Sequence, residues 1–245
     1  MNPFDFFDRY VLIARVFVAL IVIAPLVPLL AAAISWQRLS WTRVLGSAVA
    51  VVIVFYVMGD LARQRGRAIE PDLIRQMGGL PSTIMMRHSD PTFDPGTKEQ
   101  LHEFLASKLK TKAPTAVDEA NNPAAADQFY VSGANWLREN TRDQKKFNIL
   151  FNENVSYGFQ RNLLGLRTLA FVFDALVVMI CVTWLLFRRP LNIKDRMTMT
   201  FVILIGIAIL HAAYFEFAVT QQSVIAAARL YGRQLILSFE AFPNA

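Results

Sequence analysis

The chain has 245 residues, 54% of them hydrophobic and 18% charged, with a formal net charge of +6 and a single cysteine. That composition is too apolar for an ordinary soluble enzyme, and one cysteine, Cys181, excludes an internal disulfide framework and a cysteine-rich zinc site. The positive excess does not mark a binder of duplex nucleic acid, because the longest polar stretch, residues 61–165, sets 14 Lys/Arg against 12 Asp/Glu.

The first ten positions, MNPFDFFDRY, carry two aspartates and one arginine. A secretory leader wants a positive start, so the apolar block that follows is expected to stay as a helix. Residues 11–34 contain only one charge, Arg15, and the prolines Pro25 and Pro28 predict a kink. Such a kink is tolerated in a membrane helix where neighbours satisfy the carbonyls it frees. Residues 44–59 have no charge but are slightly short for a span; a bilayer core of about 30 Å needs about 20 apolar residues. Residues 1–60 thus read as a transmembrane hairpin, with Gly46 and Ala50 offering a close helix contact.

Residues 61–165 read as a small, mainly helical cytoplasmic domain. Glu70-Pro71 suits a helix start and Gly78-Gly79 its end. Residues 82–87, STIMMR, suit a short strand that lacks a convincing partner. The stretch GGLPST, with Arg75 and Arg87 close in sequence, can offer backbone amides to an anionic ligand, although two glycines also simply end a helix.

The following stretch, HSDPTFDPGTKEQLH, gathers His88, Asp90, Asp94 and His102. Its two Asp-Pro steps, its glycine and a cap formed by Thr97 with Gln100 describe a turn leading into a helix. These polar groups therefore read as ties within the domain or as ligand contacts, and no metal or cofactor is expected. Asn122-Pro123 marks another helix start. A last helix from Asp143 repeats Phe147, Phe151, Val155, Phe159 and Leu163 at four-residue spacing and leads into the third apolar block, with a bend at Gly158 or Gly165.

Residues 166–219 form the second transmembrane hairpin, with spans at 168–187 and 198–219. Ionisable groups inside a bilayer are costly. With Phe187 and Thr198 as its ends, an antiparallel hairpin places Asp174 at the depth of His211 and Arg167 near Glu216. The intramembrane pair is either glue, each group satisfying the other, or part of an ion pathway or gate. Ala208 and Ala212 offer a second small-residue contact. Residues 220–245 keep an apolar stripe, Val224, Ala228, Leu235 and Phe239, expected either to extend the fourth span or to lie on the membrane surface.

The arginines Arg63, Arg65, Arg67, Arg161, Arg167, Arg188, Arg189 and Arg196, with Lys194, flank the apolar blocks as headgroup contacts do. Their total count places the middle region, and with it both termini, on the cytoplasmic side of the inner membrane, although the two opposite loops are denser in charge. No P-loop, G-x-G-x-x-G, G-x-S-x-G, H-E-x-x-H or C-x-x-C motif occurs.

The layout of a soluble region between two helical hairpins resembles that of the SMODS-associating four-transmembrane proteins. That resemblance implies a bacterial effector that disrupts the membrane during anti-phage defence. The stretches GGLPSTIMMRHSD and TRDQKKFNILFNENVSYGFQRNLLGLR, within residues 78–167, also look like a recurrent type of uncharacterised bacterial four-transmembrane protein, a likeness that implies no activity.

The expectation is an all-helical membrane protein with four spans, working as a homo-oligomeric effector or ion channel gated through residues 61–165 by a nucleotide or a soluble protein. The alternatives are a non-conducting anchor that recruits a soluble partner and a membrane-bound metal-dependent hydrolase built on the His88–His102 array.

Overall fold

The computed structural model describes residues 9–34, 41–187, 192 and 194–243, side chains of 33–34 and 41–52 aside. Among them every regular element is helical. They are α1 (Arg9–Ile23), α2 (Leu26–Ile34), α3 (Trp41–Met77), α4 (Pro81–Met86), α5 (Pro95–Leu109), α6 (Ala116–Asn121), α7 (Pro123–Asn140), α8 (Asn148–Gly165), α9 (Arg167–Phe187), α10 (Arg196–Phe217) and α11 (Gln221–Leu237), closed by a 3₁₀ turn at Ser238–Ala241. The chain divides into two compact units, one of residues 1–70 and 158–223, the other of residues 71–157 and 224–245.

In the first unit, α9 and α10 are each long and apolar enough to cross a membrane. They pair as an antiparallel hairpin with Val177, Cys181, Leu204 and Ala208 buried between them and Trp184 stacked on Phe201 at 4.2 Å. Their outer faces stay apolar and exposed, Met179 by 59% and Leu210 by 72%. An aqueous surface would not favour that.

Helices α1 and α2 give a third span if they are one element. They meet at 52°, and the cause is Pro25, whose missing N–H breaks the ladder. The fourth expected span, 44–59, falls in α3, where the side chains up to Val52 lie outside the described residues, as do the Gly46–Ala50 contact and Arg188 and Arg189. Behind the spans, α8 crosses α3 at glycines: a Cβ on Gly165 would stand 2.6 Å from the backbone nitrogen of Gly66. Of the two glycines at which a bend was expected, Gly165 is where α8 ends, one residue before α9 begins at Arg167, and both glycines also allow close approach.

The second unit has its own core, centred on Leu101, Leu105, Tyr130, Leu137, Leu235 and Phe239, all but fully buried. Several local expectations are corrected here. Residues 82–87 are not a strand: α4 forms with Pro81 in its first turn and five of its six residues buried. With no neighbouring strand, a helix is the local way to satisfy those backbone groups.

Pro71 lies inside α3 rather than opening a helix, because the upstream residues already supply the turns and the proline removes only one bond. Gly78 and Gly79 do end it, at φ +77° and +138°, with the Gly79 amide returning to the Ile74 carbonyl at 3.0 Å. The cap of α5 is Asp94, not Thr97; its carboxylate accepts from the Thr97 amide at 3.0 Å, with Pro95 at the first position. A capping box does exist, one helix later, between Thr115 and Asp118.

α8 starts at Asn148, preceded by a turn in which the Phe147 amide donates to the Asp143 carbonyl at 2.9 Å. The C-terminal segment neither extends the fourth span nor lies as a surface helix. From Val224 onward it belongs to the second unit, with Leu235 and Phe239 in that unit's core and Gly232 packed on the backbone of α4. An amphipathic stripe reads the same in sequence whether it meets lipid or protein.

Candidate functional site

In the first unit the interesting chemistry lies where the first helix is irregular. Residues Leu12–Phe17 wind as a π-helix, and the Ala14 carbonyl inside that turn accepts from the Asn162 side chain at 2.7 Å. Asn162 is 1% exposed. Beside it, Arg161 donates to Glu70 at 3.0 Å. Two turns further along, Pro25, just past the end of α1, lacks the N–H that would have met the Ile21 carbonyl. That carbonyl accepts instead from the Ala24 amide at 3.1 Å and from His211 Nε2 at 2.9 Å. Two polar side chains, from α8 and α10, thus complete the backbone bonding of an irregular, bent helix pair, as an apolar surround requires.

His211 is also held from the other side. Its Nδ1 lies 2.9 Å and 3.0 Å from the two Asp174 oxygens. Both side chains are nearly closed off from solvent, 10% exposed for His211 and 6% for Asp174. Because a carbonyl can only accept, Nε2 carries a proton toward Ile21. Nδ1 faces the carboxylate, so the ring bridges the Ile21 carbonyl and Asp174. Arg167 and Glu216 also form an ion pair, at the exposed end of the same hairpin. The helix register therefore brings both sequence-matched pairs into contact.

The second candidate region is the junction from Arg87 to Asp94. It is clamped from two directions. Lys98, 5% exposed, aims its ammonium at the carbonyls of Arg87 (2.6 Å), His88 (3.3 Å) and Asp90. Burial holds its pKa below the ordinary lysine value. Glu119 accepts from the His88 amide (2.8 Å), the Ser89 amide and hydroxyl (3.3 and 3.0 Å) and the Tyr130 hydroxyl (2.7 Å). Burial alone would raise the Glu119 pKa, but these donors outweigh it and hold the carboxyl below its usual value. Tyr130 is pushed the other way by burial and by the carboxylate it faces.

The two histidines stand edge to face at 4.8 Å between ring centres, yet they do not converge on a common point. His88 Nε2 meets the Pro114 carbonyl at 3.0 Å and His102 Nε2 the Met86 carbonyl at 2.8 Å. Burial lowers the His102 pKa, which keeps it neutral. Asp90 accepts from the Thr92 amide at 2.9 Å and Asp94 caps α5. Among the described residues no three His, Cys, Asp or Glu side chains gather as a metal would need. The residues do line an open cleft of about 770 Å³, shared with Phe93, Lys98 and Glu103. Arg87 makes a two-pronged pair with Asp127 at 2.9 and 2.7 Å, and Arg75 is an exposed partner of Asp72, so both arginines near GGLPST are already engaged.

Sequence reasoning missed Asn162, Lys98 and Glu119. Asn162 is one of several amides along α8 (Asn148, Asn152, Asn154 and Gln160 are others), so nothing in the sequence singled it out, whereas Glu119 could have been suspected as a carboxylate beside a helix start. Only the fold names their partners. No family model, curated protein or solved structure matches this chain.

Proposed function

We propose that the protein is a four-span protein of the bacterial inner membrane, with both termini and the polar region on the cytoplasmic side, and that several copies assemble to form an ion pathway. The observation that carries this reading is His211, which ties the hinge of a broken span (the Ile21 carbonyl beside Pro25) to a buried carboxylate, Asp174. A hinge held by one side-chain bond is an element with two arrangements, closed with the bond and open without it. The exposed apolar faces of α9 and α10 leave room for lipid or neighbouring copies. A signal bound at the polar region, a nucleotide or a soluble protein, shifts the balance of the two arrangements. Defence against phage, which the layout brings to mind, is one setting for such an effector.

Purified protein reconstituted in liposomes tests the proposal. Flux of a small cation that changes in Asp174→Asn, with the fold intact by circular dichroism, supports it. Silence under every condition, with a soluble protein co-purifying on the polar region, favours the anchor; the cleft beside His88 is the surface that would serve it. The hydrolase reading gains nothing from the geometry, since each histidine spends its Nε2 on a carbonyl.

A further inference from the structure

Arg15 projects from the π turn of α1, and its Cβ packs where α3 is narrowed by Gly59; a Cβ on that glycine would lie 3.7 Å away. The groove around it is lined by Val11, Val16, Phe55, Tyr56 and Asp60. Its Nε is closed to solvent and finds no hydrogen-bond acceptor among the described residues; the Tyr10 ring lies 5.9 Å from the guanidinium carbon. Arg63 and Arg67, on successive turns of α3 beyond Gly59, are near enough for their charges to act on Arg15. Among the described residues Asp60 is a carboxylate whose charge acts on it, and Asp60 already accepts from Gln64 at 2.7 Å. Arg15 therefore feels two like charges against a partly engaged Asp60 carboxylate among the described residues, an imbalance that an added anion relieves.

Depth says which anion meets this cluster. Arg15 is six residues from Ile21, about 9 Å along the helix, and Arg167 is seven from Asp174, about 10 Å. Since His211 ties Ile21 to Asp174, Arg15 lies near the level of the Arg167–Glu216 pair, where hydrocarbon gives way to headgroups.

We propose that Arg15, Arg63 and Arg67 form a binding site for a phosphate ester, presented at this depth by the headgroup of an acidic phospholipid. Guanidinium forks match phosphate oxygens, and basic pockets among membrane helices are where such headgroups lodge. Phe55 and Tyr56 supply an apolar wall for the glycerol and first methylenes. The site rests on the membrane placement of the first unit and not on conduction.

Native mass spectrometry of the full chain, extracted from equimolar phosphatidylglycerol and phosphatidylcholine, tests it. The expected result is preferential retention of phosphatidylglycerol by about tenfold or more, reduced toward parity in Arg63→Gln/Arg67→Gln and unchanged in Arg75→Gln. Equal retention of the two lipids, or an unaltered preference in the double variant, overturns the proposal. Arg15→Gln is read only if its elution and circular dichroism match the parent. Millimolar inorganic phosphate, added to lipid-stripped protein, separates the sources: a rise in thermal midpoint that needs Arg63 and Arg67, without lipid preference, assigns the site to free phosphate. Lipid preference in a protein that passes no ions keeps this site and removes the channel.

Discussion

The bonding around His211 makes an asymmetric prediction. In Asp174→Asn a neutral His211 keeps its Nε2 proton on the Ile21 carbonyl and turns its Nδ1 lone pair to the new amide N–H. One bond with charge character becomes one neutral bond, a loss of about 0.5–1 kcal/mol. In His211→Leu the carboxyl of Asp174, 6% exposed, loses its partner, and the Ile21 carbonyl keeps only the Ala24 amide. Breaking one side of a buried pair costs about 3 kcal/mol. Asp174→Leu leaves a histidine nitrogen unpaired, for about 1.5–2 kcal/mol. The double variant Asp174→Leu/His211→Leu removes both polar groups together and is expected to cost only about 1 kcal/mol, so the summed single losses exceed the double by about 3.5–4 kcal/mol. Unfolding in mixed detergent micelles, followed by tryptophan fluorescence, measures all four. If His211→Leu is no more harmful than Asp174→Asn, or the two leucine changes add within about 0.5 kcal/mol, the bonding described for this hinge is wrong.

Other outcomes follow from the same reasoning. Glu119→Gln should cost about 1.5–3 kcal/mol at neutral pH and speed amide exchange at His88 and Ser89. Because the folded carboxyl titrates below its unfolded value, the stabilisation is present above the ordinary glutamate range and is lost as pH falls through the folded value, where variant and parent should converge. His102, a base whose folded pKa is lowered, works from the other end: the unfolded chain takes the proton first, so stability should fall as pH drops from 6.5 toward the folded value. His102→Gln should flatten that slope in denaturant titrations at a series of pH values. Gly165→Ala should cost about 1–3 kcal/mol because its methyl meets the backbone of Gly66, whereas Gly206→Ala, with nothing within 4 Å, should change the thermal midpoint little.

Much of the architecture was legible because long apolar runs are written in one dimension. The apolar runs that contain α9 and α10 announce themselves by length, and hairpin arithmetic needs only the helix rise to set Asp174 beside His211. Asn122-Pro123 and Gly78-Gly79 were equally readable, since a cap or a left-handed turn depends on a few adjacent residues. Failures came where two local readings were equally good. Thr97 and Asp94 both make sound caps, and the chain uses the one that lets Pro95 sit at the first position. Pro71 looks like a helix start until the preceding turns are seen to continue through it.

What the sequence determined by itself was composition acting over short range: helices rather than strands, apolar runs of spanning length, and polar groups at matched depth within one hairpin. What only the tertiary structure decided was which distant groups meet. Asn162 reaches a carbonyl at position 14, His211 one at position 21, and the C-terminal segment buries Leu235 and Phe239 in a core begun more than a hundred residues earlier. A freed carbonyl or an apolar stripe states a need that any suitable partner can meet. Only packing of the whole chain selects the partner.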